Sequence, residues 1–261
     1  MNDKYLIINK EHKFINFILK FDENKINYLA INENALGLLN KNISKFNYLT
    51  WEFLCMNRNP KIFSLISKNL NKLSLTCWSN LCYNENEQIV SLILDNIYLL
   101  NTPNCRLLLC FNGNKRIINF ISNELKKSFN IGYLENLCKN KNAIDVVSCY
   151  KDKFNKKCIK NLCINENGYE LLKEFINFNS FRSINTDYIN NLCLNRNKDI
   201  VKYLFENFNN LNRKLFINIC LNPAAISLIN HYFKNFDNEY NTDTICLSYL
   251  CYNENPDIIL L

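Results

Sequence analysis

One phrase governs what this chain can fold into. Leu-Cys-x-Asn-x-Asn, or a close variant, returns nine times at intervals of 25 to 31 residues. It reads Leu54-Cys55-Met56-Asn57-Arg58-Asn59, then Leu81-Cys82-Tyr83-Asn84-Glu85-Asn86, then Leu137-Cys138-Lys139-Asn140-Lys141-Asn142, and it recurs at 192–197 and 250–255. A period of this length marks stacked repeats, in which each copy buries its apolar face against its neighbours instead of sharing one central core.

Aligned on the Cys position, the copies carry Ala30, Cys55, Cys82, Cys110, Cys138, Cys163, Cys193, Cys220 and Cys251. The preceding residue is apolar in all nine: Leu29, Leu54, Leu81, Leu109, Leu137, Leu162, Leu192, Ile219 and Leu250. Four before the Cys position stand Ile26, Trp51, Trp78, Arg106, Leu134, Ile159, Ile189, Phe216 and Leu247, where only Arg106 is polar. Apolar residues at this spacing form one stripe of a helix, so the pattern predicts a first helix of about 9 to 11 residues ending near the Cys.

Two after the Cys position an Asn stands in every copy, from Asn32 to Asn253. Beyond a helix end, Asn substitutes for Gly in the left-handed conformation, so a C-terminal cap is expected there. A second Asn follows two residues later in eight copies, with Ala224 the exception, and predicts the N-cap of a second helix. Asn59-Pro60 and Asn255-Pro256 put Pro at the first helical position, where its missing N–H costs nothing. In the exceptional copy, Asn222-Pro223 points to Asn222 as the cap. Ile62, Phe63, Leu65 and Ile66, or Ile89, Val90, Leu92 and Ile93, then line one face of that second helix. Polar linkers such as residues 69–72 lead to the next copy.

The fold class expected is therefore all-α: an α-solenoid of about nine short helical hairpins with a period near 28 residues. Residues 1–23 read as a helical capping segment and 24–261 as the repeat array, its last copy incomplete at Ile258-Ile259-Leu260-Leu261. The scarcity of turn formers, 4 Gly and 4 Pro, agrees with helices over strands. A leucine-rich repeat has an overlapping period, but Asn80, Asn136 and Asn191 fall where its strand needs inward apolar residues. Ankyrin and tetratricopeptide repeats have longer periods and signatures that this chain lacks.

Trp51-Glu52-Phe53-Leu54-Cys55-Met56-Asn57-Arg58-Asn59, residues 78–86, Asn142-Ala143-Ile144 and Asn34-Ala35-Leu36 resemble units of the form Trp-x-x-Leu-Ser-x-Asn-Pro-Asn-Ala-Ile-x-Leu-Leu. Such units fill Asn-rich repeat proteins of giant DNA viruses that infect amoebae, and the likeness covers about residues 24 to 261. The resemblance implies no enzymatic activity, assigns no functional residues, and suggests the host cytoplasm or the virion as the place of action.

Eight of the 13 cysteines recur at one repeat position, in a long chain without a visible signal peptide, which points to a reduced, intracellular protein. Stacked helices lie about 8–10 Å apart, too far for disulfides within the Cys column, so these thiols are expected as small packing groups. Cys77, Cys105, Cys158 and Cys246 each precede a column Cys by five residues, on another helical face, which makes a poor chelate. No Cys-x-x-Cys occurs, and His12 and His231 stand far apart. No metal, cofactor, catalytic group or membrane span is expected.

Charge is the one functional signal. Lys115 to Lys160 holds eleven basic and four acidic residues, while 231–261 is acidic. Lys126, Lys127, Lys139, Lys141, Lys151, Lys153, Lys156, Lys157 and Lys160 are the candidate contacts to an anionic partner. Glu85, Glu166 and Glu254 recur at one loop position, but Arg58, Lys141 and Arg196 fill it with opposite sign. The leading expectation is a non-enzymatic scaffold that binds protein partners. The alternatives are nucleic-acid association through 115–160, or self-association through the uncapped last copy.

Overall fold

The computed structural model describes residues 23–100, 103–181, 184–207, 213–235, 248–253, 255 and 257, and all regular structure among them is helical. The expected capping segment lies outside the described residues except for Glu23, as do Pro256 and 258–261. The chain forms two compact parts, Met1–Phe129 and Asn130–Leu261.

The first part holds α1 (Glu23–Ile31), α2 (Leu36–Lys41), α3 (Tyr48–Cys55), α4 (Phe63–Ser67), α5 (Leu75–Leu81), α6 (Glu87–Asp95), α7 (Pro103–Leu109) and α8 (Lys115–Lys127). The second holds α9 (Ile131–Leu137), α10 (Ile144–Ser148), α11 (Lys156–Leu162), α12 (Tyr169–Leu172), α13 (Thr186–Leu192), α14 (Lys198–Glu206), α15 (Arg213–Cys220) and α16 (Ile226–Asn235). Odd-numbered helices end at the Cys column, and even-numbered ones follow the Asn pair. Within the first part α1 packs on α3, α3 on α5 and α5 on α7, with α4 on α6 and α6 on α8 beside them. In the second, α9, α11, α13 and α15 pack in the same succession.

The odd helices start later than the apolar stripe suggests and run seven to nine residues. Their start is set by an N-cap eight residues before the Cys. Asn47, Ser74, Asn130, Asn155 and Asn185 each accept an amide N–H of the first turn. The expected polar linkers are largely 3-10 turns, such as Leu70–Lys72 and Lys151–Lys153. Before them Asn42, Asn69, Asn96 and Asn207 turn their amide back onto the carbonyl four residues earlier, at 2.8–2.9 Å, and close the even helices.

The core follows the aligned columns. The residue before the Cys is fully buried from Leu29 through Ile219, and so are the column cysteines from Cys55 to Cys220. Each such Leu stabilises by about 1.5–3 kcal/mol relative to exposure. Trp51 and Trp78 are buried as well, and Phe46 meets the Trp51 ring edge-to-face at 5.2 Å. Arg106, the polar exception, keeps its guanidinium half-buried beside Glu124 at 3.4 Å.

The first Asn of each motif does something other than cap in a left-handed turn. Asn140 and Asn222 have φ of −83° and −89°, and Asn57, Asn112, Asn165 and Asn195 are essentially inaccessible. Their amide nitrogens cross to the preceding copy. Asn57 donates to the carbonyls of Ala30 (2.7 Å) and Asn32 (3.1 Å), and Asn112 to those of Cys82 (2.8 Å) and Asn84 (3.0 Å). In the second part Asn165 donates to Cys138 and Asn140, Asn195 to Cys163 and Asn165, and Asn222 to Cys193 and Asn195. The side-chain oxygen meanwhile accepts the N–H two residues on, as in Asn59 to Asn57 and Asn197 to Asn195. The carbonyls at the helix end are therefore satisfied from the next copy, which removes the need for positive φ.

Two further rows repeat the device. Asn59, Asn114, Asn167, Asn197 and Asn255 donate to the loop carbonyls of Glu33, Glu85, Lys141, Glu166 and Pro223. Asn80, Asn161, Asn191 and Asn218 donate to those of Glu52, Glu135, Lys160 and Asn190 in the preceding odd helix. Asn59, Asn86, Asn114 and Asn197 also cap as expected. Pro60 and Pro223 take the early helical position, and Asn222 caps its shortened loop. In the fifth copy Asn140 caps instead of Asn142, and in the first and sixth the caps are Ala35 and Gly168, without a side-chain bond. There the Asx bond from the first Asn, present in the other copies too, remains as the side-chain bond at the turn.

Candidate interaction surface

The basic segment is divided between the two parts, with Lys126 and Lys127 in the first and the other candidates in the second. Most of its charge is used inside the chain. Lys127 meets Glu124 at 3.2 Å, Lys141 meets Glu166 at 3.1 Å, and Lys151 meets Glu174 at 2.7 Å. Lys157 meets Glu135 at 2.8 Å and Lys160 meets Asp187 at 3.1 Å. Four of these five pairs join residues 22 to 27 apart, one copy to the next. Lys126, Lys139, Lys153 and Lys156 are exposed. The loop position of mixed sign resolves in the same way, because Glu166 lies between Lys141 and Arg196, the latter at 3.9 Å.

The electrostatics follow from these pairs. Burial pushes the Glu135 carboxyl up, but the Lys157 ammonium and the Asn155 amide outweigh it and hold the group below its usual range. Glu174 beside Lys151 and Glu135 beside Lys157 raise both ammonium groups.

A row that the charge count passes over lies one residue past the Cys column. Ile31, Met56 and Tyr83 stand exposed in three successive copies of the first part, followed by half-buried Phe111, whose ring stacks on Tyr83 at 6.3 Å. Large exposed apolar side chains are unevenly shared. Among the described residues Tyr28, Tyr48, Leu70, Leu75, Tyr98, Leu99 and Phe129 are also exposed in the first part, against Ile131, Phe205 and Tyr252 in the second. The motif alignment contains the signal, since this position is apolar in every copy except at Lys139.

The thiols are mostly packing groups, as the sequence suggests. Burial pushes Cys82, Cys110, Cys163 and Cys193 up to about 12. Two pairs depart from that description: Cys77 is lowered to about 6 by its neighbour Cys55, which is itself pushed up, and Cys158 is lowered by Cys138, which is pushed up in turn. His231 lies on α16 against Phe205, at 4.9 Å. Tyr203 is packed among Phe178 and Phe181 with its hydroxyl unpartnered, and burial pushes it up to about 12.

Among the described residues no group of three His, Cys, Asp or Glu could hold a metal ion, and no helix is long and apolar enough to cross a membrane. No family model, no curated protein and no solved structure matches this chain.

Proposed function

We propose that the chain is an α-solenoid of about nine helical-hairpin repeats with a period near 28 residues, and that it works as a non-enzymatic scaffold for protein–protein interaction. The observation that carries the binding role is the exposed row Ile31, Met56 and Tyr83, extended by Phe111, at one position of four successive repeats. Exposed apolar side chains that recur at one position of neighbouring copies suit a surface covered by a partner. Aromatic and Met side chains are enriched at the centres of protein interfaces. The resemblance to giant-virus repeat proteins fits a partner met in an infected host's cytoplasm or in the virion.

The test places a photo-crosslinking amino acid at position 83 and, separately, at position 151. Crosslinks to a defined protein from position 83, lost when Met56→Glu is added, support the reading. Equal labelling from both positions overturns it.

Nucleic-acid association has less support, because five of the nine candidate lysines already hold carboxylates of this chain. Anisotropy titrations with random-sequence DNA and RNA are expected to show no binding tighter than about 1 μM at physiological salt. The variant with Lys→Glu at 151, 153, 156, 157 and 160 is expected to behave alike. Tight binding that this variant loses would reverse the order of the two readings.

A further inference from the structure

Two of the four glycines follow an asparagine, Asn112-Gly113 in the first part and Asn167-Gly168 in the second. With no Cβ on the following residue, the backbone nitrogen of an Asn-Gly step approaches the side-chain carbon Cγ of the Asn with little hindrance. The two steps share this intrinsic chemistry, and the fold treats them in opposite ways.

Asn112 is fully buried and held at both ends of its amide. Its Nδ2 donates to the carbonyls of Cys82 and Asn84 at 2.8 and 3.0 Å, and its Oδ1 accepts the Asn114 N–H at 2.8 Å. The Gly113 N–H donates to the Glu85 carboxylate at 3.1 Å. Asn167, by contrast, stands exposed in the loop before α12. Its Nδ2 donates once, to the Lys141 carbonyl at 2.9 Å. The corresponding Asn114 and Asn197 use Oδ1 to cap a helix, but α12 begins behind Gly168, and the Asn167 oxygen accepts nothing among the described residues. The Gly168 N–H donates to the Asn165 carbonyl of its own turn, at 3.0 Å.

Packing keeps the exposed step in place. A Cβ at residue 168 would lie 2.9 Å from Cδ1 of the fully buried Leu162, 3.1 Å from the Leu162 carbonyl oxygen and 3.2 Å from Asn165 Cβ. Close approach therefore demands Gly at 168, while the bond to Lys141 demands an amide at 167.

We propose that Asn167-Gly168 is a site of spontaneous deamidation that loosens the junction between the fifth and sixth copies, and that the fold protects Asn112-Gly113 from the same reaction. During a brief opening of the turn the Gly168 nitrogen attacks Asn167 Cγ. The Cγ–Nδ2 bond breaks, ammonia leaves with the proton that the Gly168 nitrogen gives up, and a cyclic succinimide remains. Water then opens either carbonyl of the ring to give aspartate or isoaspartate. One asparagine and one water thus give one acid and one ammonia. A carboxylate only accepts hydrogen bonds, so the product faces the Lys141 carbonyl oxygen without a donor. Isoaspartate also lengthens the main chain of the turn by one methylene.

The full chain is incubated in mildly alkaline buffer, folded and, in parallel, unfolded in guanidinium. Peptide mapping with fragmentation that separates aspartate from isoaspartate then locates the modified positions. In the folded chain Asn167 is expected to convert at least about tenfold faster than Asn112, a ratio that needs only about 1.4 kcal/mol of extra opening cost at the buried site. In guanidinium the two should convert alike. Conversion of Asn112 as fast as Asn167 in the folded chain overturns the proposal, and so does a folded Asn167 that stays intact while the unfolded one reacts. The fraction deamidated at Asn167, separated by its added negative charge, should unfold at lower denaturant than the intact chain. An unchanged midpoint overturns the loosening of the junction.

Discussion

The two compact parts are built on the same three rows of asparagine but differ in what they add at the surface. In Asn130–Leu261 neighbouring copies are tied by ion pairs, with Lys157–Glu135, Lys160–Asp187, Lys151–Glu174 and the Lys141–Glu166–Arg196 chain joining one to the next. In Met1–Phe129 Arg116 meets Glu87 at 3.6 Å, and among the described residues large apolar side chains lie open. Both parts therefore obtain their cohesion from buried amides and leucines, while the exposed positions are free to vary. Surface ion pairs contribute about 0–1 kcal/mol each, so the second part gains register and solubility from them more than stability.

Several substitutions would break or sharpen this contrast. The largest effect is expected for Trp78→Ala, which empties a buried site between the helices of the first part and should cost about 3–5 kcal/mol in denaturant unfolding. Next comes the row common to both parts. Asn57→Ala and Asn165→Ala each strand one helix-end carbonyl (Ala30 or Cys138) and one amide N–H, while Asn32 and Asn140 keep a backbone N–H, and about 2–3 kcal/mol is expected for each. Clearly unequal losses would show that the parts do not rely on the row alike.

Glu135→Gln should remove about 0.5–1 kcal/mol from the second part at neutral pH, since solvent screens its exposed Lys157 partner. The folded Glu135 lies below its unfolded value, so its contribution is complete above about pH 4.3 and disappears as pH falls through the folded pKa. Unfolding curves of wild type and Glu135→Gln should therefore differ at pH 7 and converge as pH falls through the folded pKa. The smallest effect is expected for Tyr83→Ser, within about 0.5 kcal/mol of wild type, because the side chain is exposed. Loss of crosslinking from a photo-crosslinking amino acid at position 56 in this variant, without loss of stability, would separate binding from folding at that row.

The apolar columns, the caps at Asn59, Asn86, Asn114 and Asn197 and the helical class are legible in the sequence because they depend on spacing within one copy. What escapes that reading spans two copies. Asn57 satisfies carbonyls 25 and 27 residues away, and no local rule reports such a bond. A clue was nevertheless present. A left-handed cap would let Gly replace Asn, yet none of the four glycines takes that place in any copy. The lysines of 115–160 were counted along the chain, whereas their carboxylate partners come from neighbouring copies.

The direction of the amide rows bears on how such a chain can lengthen or shorten. Within each part, described copies present acceptors on one side and reach with donors to the other, so successive copies there join by the same handshake. Excising residues 58–84 would bring the Asn112 amide to the carbonyl that Asn84 now uses, with no bonding group left over. A deletion a few residues longer or shorter would set amide against side chain. Genetic changes that conserve the period are in this sense silent to the interface, and the size of the array can drift while its chemistry stays fixed.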